Sequence, residues 1–534
     1  MKKHTFKLVA VLLVCMLAVS ITACGGGKTA DSPADTPSDA PASSDSGDSS
    51  ATPAAGGDEL NVGVFLDTGT LDPLFMTGKG GYLSVQRTYS EPLWDYDLDT
   101  GERFWVLATA FDPVDDSGIH YTMKVREGVT FSNGNPLTAE DILFTIKLNA
   151  EDARAFLNVK VFDVEKTTVV DDYTLDVWYT RFDPSQEPGI VQMQIVDAES
   201  YNMDTYSEDP VGTGAYKVTD YVVNSHVTVE ARDDYWGDKP AFKKINFKCL
   251  GEISQRVNAL ETGDVDWTLI TTSDIDYVEG LGTATTEISN VGSSLCAVYN
   301  MKSIPDVKAR EAISYCINRQ AISDVAYSGV AALPRFGASE SFIEMQDRYY
   351  DMNDVYVDSH NVEKAKQLAE EAGIVGETYT IVTNGDVNFI TAAEVIQNGL
   401  EEIGVNAQIV NHDQASYFDF LMGADDDAYD IAINNPVSPA SLPADIFGNY
   451  PVFIPQSWSG PEREEYVALG EKTNGEADLA KRQDLVYELL QLHTTKYLLW
   501  YGLVEDPLVY GYNKDLKGIH HTVSGLTLYQ ELHF

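Results

Sequence analysis

The sequence predicts an α/β protein of two or three domains, carried on a flexible N-terminal tether. Three observations predict it. The 534-residue chain is 44% hydrophobic, enough to bury several cores at ~100–200 residues per domain. Strand, helix and strand patterns follow one another at 244–270 and again at 378–411, and such units close right-handed into parallel pairs. The stretch after Cys24, GGGKTADSPADTPSDAPASSDSGDSSATPAAGGD, has almost no large apolar side chain, so nothing in it offsets the entropy of ordering.

The body starts near Glu59, where LNVGVFLD reads as an apolar strand running into TLDPLF and a Gly-rich turn at Gly78 to Gly81. Tyr121–Val125 reads as a strand and Asn133-Gly134 as a turn. Thr138 with Asp141 approximates a capping box, and Ile142, Leu143 and Ile146 then share one helical face. YKVTDYV, HVTVEAR and KINFKCL read as strands, a helix covers Ser254–Thr262, and VDWTLI follows Gly263. In the clearest unit, TYTIVTN alternates as a strand and Thr391 with Glu394 forms a capping box. Val395, Ile396, Leu400 and Ile403 make the apolar face, Gly404 ends the helix, and VNAQIVN is the next strand. Open sheets of this kind bind ligands beyond the carboxyl ends of their strands. There is no internal repeat.

The first 24 residues place the body outside the cytoplasm. Lys2, Lys3 and Lys7 form a positive start, and Leu8 to Val19 an apolar run of signal-peptide rather than transmembrane length. Ile21-Thr22-Ala23-Cys24 resembles the bacterial lipobox, in which the cysteine is lipidated and becomes the first mature residue; an ordinary secretory signal is the alternative. Residues 1–23 are thus a signal, Cys24 the lipidation site and 24–58 a tether reaching some tens of ångströms, on the order of 5–6 Å × √n. Two or more acyl chains make a stable anchor.

A net charge of −47 argues against nucleic acid, whose phosphates require Lys and Arg clusters; solubility of an exported protein explains it more simply than a cationic ligand. Cys249, Cys296 and Cys316 lie in apolar runs without CxxC spacing and read as buried thiols, with a Cys249–Cys296 bridge as the alternative. No histidine has HExxH spacing and no GxSxG elbow occurs. GGGKT lacks the strand and first glycine of a phosphate loop, and adjacent His520 and His521 would point to opposite faces of a strand. The expectation is a protein that is not an enzyme, with no metal and no cofactor.

Four segments together resemble the extracytoplasmic solute-binding proteins of peptide and nickel ABC importers, the oligopeptide- and dipeptide-binding type. KVREGVTFSNGNPLTAEDILFTI is similar to that family's signature. VGTGAYKV is similar to its GTGPYK turn, and YNMKSIPDVKAREAISYCINR to a later conserved stretch, while TLDPLF sits where its first ligand loop begins. The resemblance covers Glu59 to Phe534. It implies a two-lobed periplasmic-binding-protein-like clamshell, with lobe one at 59–298 plus 497–534, an extra subdomain at about 90–208, and lobe two at 299–496. Tyr299, Asn300, Leu499, Trp500 and Tyr501 would lie near the hinges. The implied function is a lipid-anchored, monomeric substrate-binding component on the extracytoplasmic face of the cell membrane. It would capture a peptide or small solute for an ABC permease with ATPase subunits. A sensing or adhesion lipoprotein, or a secreted hydrolase, is the alternative.

The chain departs from that family where specificity is decided. Pro436 stands in place of a tryptophan after Asp430 to Asn435, and Leu442 in place of the aspartate that pairs with a peptide's amino group. Asn434 and Asn435 offer amides there, Asp445 a carboxylate nearby and Trp458 an aromatic wall. In lobe one the candidates are Thr70, Leu71, Asp72 and Tyr82. LDP reads equally as a turn whose aspartate caps the next segment.

Overall fold

The computed structural model describes residues 57–65, 69–74, 82–151, 161–183, 187–289, 294–334, 360–413, 416–417, 429–435, 457–523 and 525–534. Cys24, the signal, the tether up to residue 56, Asp445 and the side chain of Tyr82 lie outside them. In chain order the first part comprises β1 (Glu59–Val64), α1 (Tyr82–Tyr89), β2 (Trp94–Tyr96), β3 (Arg103–Trp105), β4 (Ala108–Pro113), β5 (His120–Val125), α2 (Ala139–Glu151), β6 (Thr168–Asp171), β7 (Thr174–Trp178) and α3 (Glu187–Gln192). There follow β8 (Tyr216–Val222), β9 (His226–Ala231), β10 (Lys244–Cys249), α4 (Ile253–Thr262), β11 (Trp267–Ile270), α5 (Ile275–Gly280) and β12 (Ala284–Ser289). The second part holds β13 (Ser294–Tyr299), α6 (Val307–Cys316), α7 (Arg319–Ala326), α8 (Val362–Ala372), β14 (Thr378–Thr383), α9 (Val387–Glu402), β15 (Asn406–Asn411), β16 (Ile431–Asn434), α10 (Pro461–Asn474), α11 (Leu479–Gln491) and β17 (Trp500–Glu505). β18 (Leu508–Asn513) returns to the first.

Two large sheets result. One runs β12-β18-β11-β1-β10-β9-β8, the other β15-β14-β16-β13-β17. The first packs Leu60, Val62, Tyr216, Phe247 and Trp267 into its core. The second is covered on both faces: Ile313, Ile381, Ile396 and Ile431 pack on one, Val298, Val382, Ala432 and Trp500 on the other. Its inner strand β13 is accordingly buried along its whole length, as a doubly covered strand must be. Between β1 and β8 a four-stranded sheet, β4-β5-β7-β6, has its own core around Trp94, Phe131, Ile142 and Leu175.

The local chemistry explains these elements. Asp141 Oδ2 accepts from Thr138 N (2.8 Å) and Thr138 Oγ1 (3.0 Å), which fixes the start of α2. Gly263 at φ 76° closes α4 left-handed. One expected boundary moves: α9 starts at Val387, capped by Asp386 Oδ1 accepting from Asn388 N at 2.8 Å. Thr391 therefore lies inside the helix and donates back to Val387 O at 2.9 Å; an aspartate cap one turn earlier outcompetes it. No disulfide joins Cys249, Cys296 and Cys316, all of which are thiols. No helix among the described residues is long and apolar enough to cross a membrane.

Candidate functional site

The two sheets meet the chain's crossings at one kind of edge. β1, β10 and β11 are parallel, so their carboxyl ends at Val64, Cys249 and Ile270 share an edge, where β12 ends at Ser289 opposite the first residue of β18, Leu508. β14, β15 and β16 are also parallel, and Thr383, Asn411 and Asn434 end them at the edge where Ser294 opens β13 opposite Glu505. The chain passes between sheets after Ser289 and again after Glu505, so both passages link carboxyl edge to carboxyl edge. Tyr299, Asn300, Leu499, Trp500 and Tyr501 lie elsewhere. Tyr299 N donates to Leu499 O at 3.0 Å and Ala297 pairs with Tyr501, at the far end of the five-stranded sheet. The expected crossings are corrected accordingly, because both strands remain hydrogen-bonded in that sheet up to its other edge.

Loops and helix starts line these edges. Arg256 donates to Leu269 O (2.8 Å), Leu250 O (2.8 Å) and Gly251 O (3.0 Å), tying the ends of β10 and β11 together. Ile253 opens α4 and Val387 opens α9, and both are exposed, Val387 at 71%. Apolar surface thus flanks each edge.

The loop after β1 is held from within. Thr70 Oγ1 and Leu71 N both bond Ser207 Oγ, at 2.8 and 3.0 Å. Tyr89 donates its hydroxyl to Leu71 O at 2.8 Å, and the Leu71 side chain is fully buried in the core. Asp72 accepts from Leu74 N (3.0 Å) and from Tyr201 OH (3.0 Å). The turn-capping reading of LDP is the one seen for Asp72. Burial raises its pKa above the usual carboxylate range, because removing the charge from water costs more than those two bonds return.

On the second sheet Asn434 ends β16, nine-tenths buried, with Asn435 more open beside it. Its neighbour across the strands is Cys296. Burial and the nearby Glu505 carboxylate push the Cys296 thiol well up, so it is a neutral group. Trp458 is mostly buried, 4.8 Å from the ring of Tyr497 and 5.6 Å from that of Tyr466. The structure thus brings Asn434 and Asn435 to a carboxyl edge, and gives Leu71 and Trp458 packing roles. His520 Nδ1 hydrogen-bonds Glu531 Oε2 (2.9 Å) and its Nε2 lies 3.0 Å from Asp97 Oδ2 as an ion pair, while His521 stacks on Tyr510. Among the described residues no cluster of His, Cys, Asp and Glu is arranged to hold a metal. Sequence reasoning missed Ser289, Ser294 and Glu505; for Ser294 and Glu505 the one signal was a polar residue at the end of an otherwise apolar strand, and Ser289, in the polar strand ATTEIS, had none.

Comparison with known proteins fits this geometry. The family described as bacterial extracellular solute-binding proteins, family 5, matches residues 106–450. The chain belongs to that family. It is 24% identical over 400 residues to the nickel-binding periplasmic protein of Escherichia coli (strain K12), covering 68% of this chain and 73% of that protein. It is 23% identical over 444 residues to the oligopeptide-binding protein AppA of Bacillus subtilis (strain 168), covering 76% of each. The solved structure of the ABC transporter substrate-binding protein CtaP of Listeria monocytogenes superposes with a TM-score of 0.78 at 22% identity, over 90% of this chain and 99% of that one. At that identity the likeness is one of fold, the two-lobed solute-binding architecture. The family is one of extracellular solute-binding proteins.

Proposed function

We propose that this family 5 protein is the lipid-anchored substrate-binding component of an ABC importer, capturing a peptide or related small solute between its lobes for delivery to a membrane permease. One observation carries the reading: both passages of the chain join the carboxyl edges of the two sheets. Bending at 289–294 and 505–508 would bring together the two edges at which open sheets bind ligands. Lobe one would then be 59–289 with 508–534, including the inserted four-stranded sheet, and lobe two 294–505. The exposed Ile253 and Val387 would give the closing surfaces apolar area to bury. Thr70, Asn434 and Asn435 would face the solute, with Tyr82 and Asp445 the further candidates from the sequence. Attachment through Cys24 keeps the monomer beside its permease.

Native mass spectrometry of gently purified protein tests this. A retained small solute is expected, lost on denaturation, whose re-addition raises the melting temperature; a hundredfold excess over Kd stabilises the bound state by about 2.7 kcal/mol. Protein that carries no solute and shows no thermal shift across a peptide library would contradict the reading.

A further inference from the structure

At the carboxyl edge of the five-stranded sheet, beside the Glu505 carboxylate, two buried uncharged side chains carry atoms without hydrogen-bond partners: Asn434 Nδ2, in a side chain 5% exposed, and Ser294 Oγ, in one 0% exposed. The register relates them. Asn434 pairs with Cys296, and Ser294 lies two residues before Cys296 on the same strand. Side chains alternate along a strand, and Cys296, Val298 and Ala432 pack on one face; Ser294 and Asn434 therefore share that face as diagonal neighbours, roughly 7–8 Å apart along the backbone. A buried amide N–H or hydroxyl left unbonded is costly, so this edge is built to receive something polar.

The donors and acceptors narrow its chemistry. Asn434 Nδ2 can only donate and so needs an oxygen, whereas a serine hydroxyl can also accept an N–H. Glu505, directly opposite Ser294 and nine-tenths buried, weighs against a second anion here. A planar amide carries an oxygen and an N–H pointing opposite ways, and it can join both side chains with two ordinary bonds of ~2.9–3.0 Å. We propose that Asn434 and Ser294 are specificity-determining residues that together read one uncharged amide group of the ligand. Asn434 Nδ2 donates to its carbonyl oxygen and Ser294 Oγ accepts its N–H. The ligand class is a peptide or other secondary amide, recognised at this point through its backbone rather than a terminal charge. The inference deepens the proposed function and rests on it.

The test is calorimetry of the full mature protein with trialanine and with N-acetyl-trialanine amide, which has no charged terminus. Wild type should bind the capped peptide. Asn434→Ala should weaken it about tenfold and Ser294→Ala at least threefold. The double variant should lose less than the product of the two, because both side chains hold one group. Asn434→Asp, which cannot donate, should be at least as damaging as Asn434→Ala. Ser294→Ala removes a single oxygen, and a circular-dichroism melt within a few degrees of wild type confirms that each variant folds. If the variants bind as tightly as wild type, water alone serves these atoms and the amide reader is wrong. If wild type binds free trialanine only, a terminal charge is read instead, and peptide capture stands while the inference fails. If it binds neither peptide yet is stabilised by its co-purified solute, the amide class fails and solute capture stands.

Discussion

Asp95 is fully buried beside Arg87, whose Nη2 lies 3.5 Å from its Oδ2. Burial nonetheless raises its pKa to about 6, since desolvation outweighs the attraction of Arg87 and the bond from Tyr96 N. Glu91, bonded by Tyr235 OH (2.7 Å) and Trp236 Nε1 (2.9 Å), is raised for the same leading reason. A carboxylate with a raised folded-state pKa binds its proton more tightly when folded. Its stabilising contribution is therefore complete below the unfolded value near 4 and is lost as pH rises through about 6. Asp95→Asn should abolish that dependence. Its stability relative to wild type should improve by about 2–3 kcal/mol between pH 4 and pH 7, read from urea unfolding at both; parallel curves would show that Asp95 does not titrate in this window. At this scale the sequence was least legible. Leu71 and Asp72 look like an exposed ligand loop, but Tyr89, Tyr201 and Ser207, distant in sequence, draw them inward, and no local pattern announces such partners.

Elements were easier to read than residues, for a physical reason: strands and helices follow from apolar period and capping, which are local. The motifs that carry the family resemblance prove to be joints between elements. Asn133 and Asn135 both donate to Asp197 Oδ2, at 2.7 and 2.8 Å. Arg232 donates to the carbonyls of Gly212, Gly214, Thr130 and Phe131. Gly212 and Gly214 lie flat against the backbone of Tyr89, where a Cβ on Gly212 would meet Tyr89 O at 2.0 Å. Gly399 lets α9 press on α6 in the same way, with a Cβ 2.4 Å from Cys316 O. Gly399→Ala should therefore destabilise by about 1–3 kcal/mol or more, although alanine favours helices by up to ~1 kcal/mol. A melting temperature at or above wild type would show that the helices can part freely. Such joints identify the fold, whereas residues 436–456, where the sequence departs from the family's pattern, fall outside the described residues.

For the whole molecule, the α/β class and the division into strand-helix-strand regions were legible, but the crossing points were not. β13 and β17 read as continuations of lobe one because nothing in an apolar strand says which sheet it will join; only the register with β16 decides it. The N-terminal segment makes an independent prediction. Cys24→Ala should move the protein from membrane to medium, or leave its signal uncleaved, in a suitable bacterial host; unchanged membrane fractionation without lipid mass on Cys24 would remove the anchor. The central claim is that solute closes two lobes about the passages at 289–294 and 505–508. Small-angle X-ray scattering of the mature protein, with and without a solute that raises its melting temperature, tests that claim most directly. Closure predicts a smaller radius of gyration in the bound state, and superimposable profiles at saturating solute would contradict it.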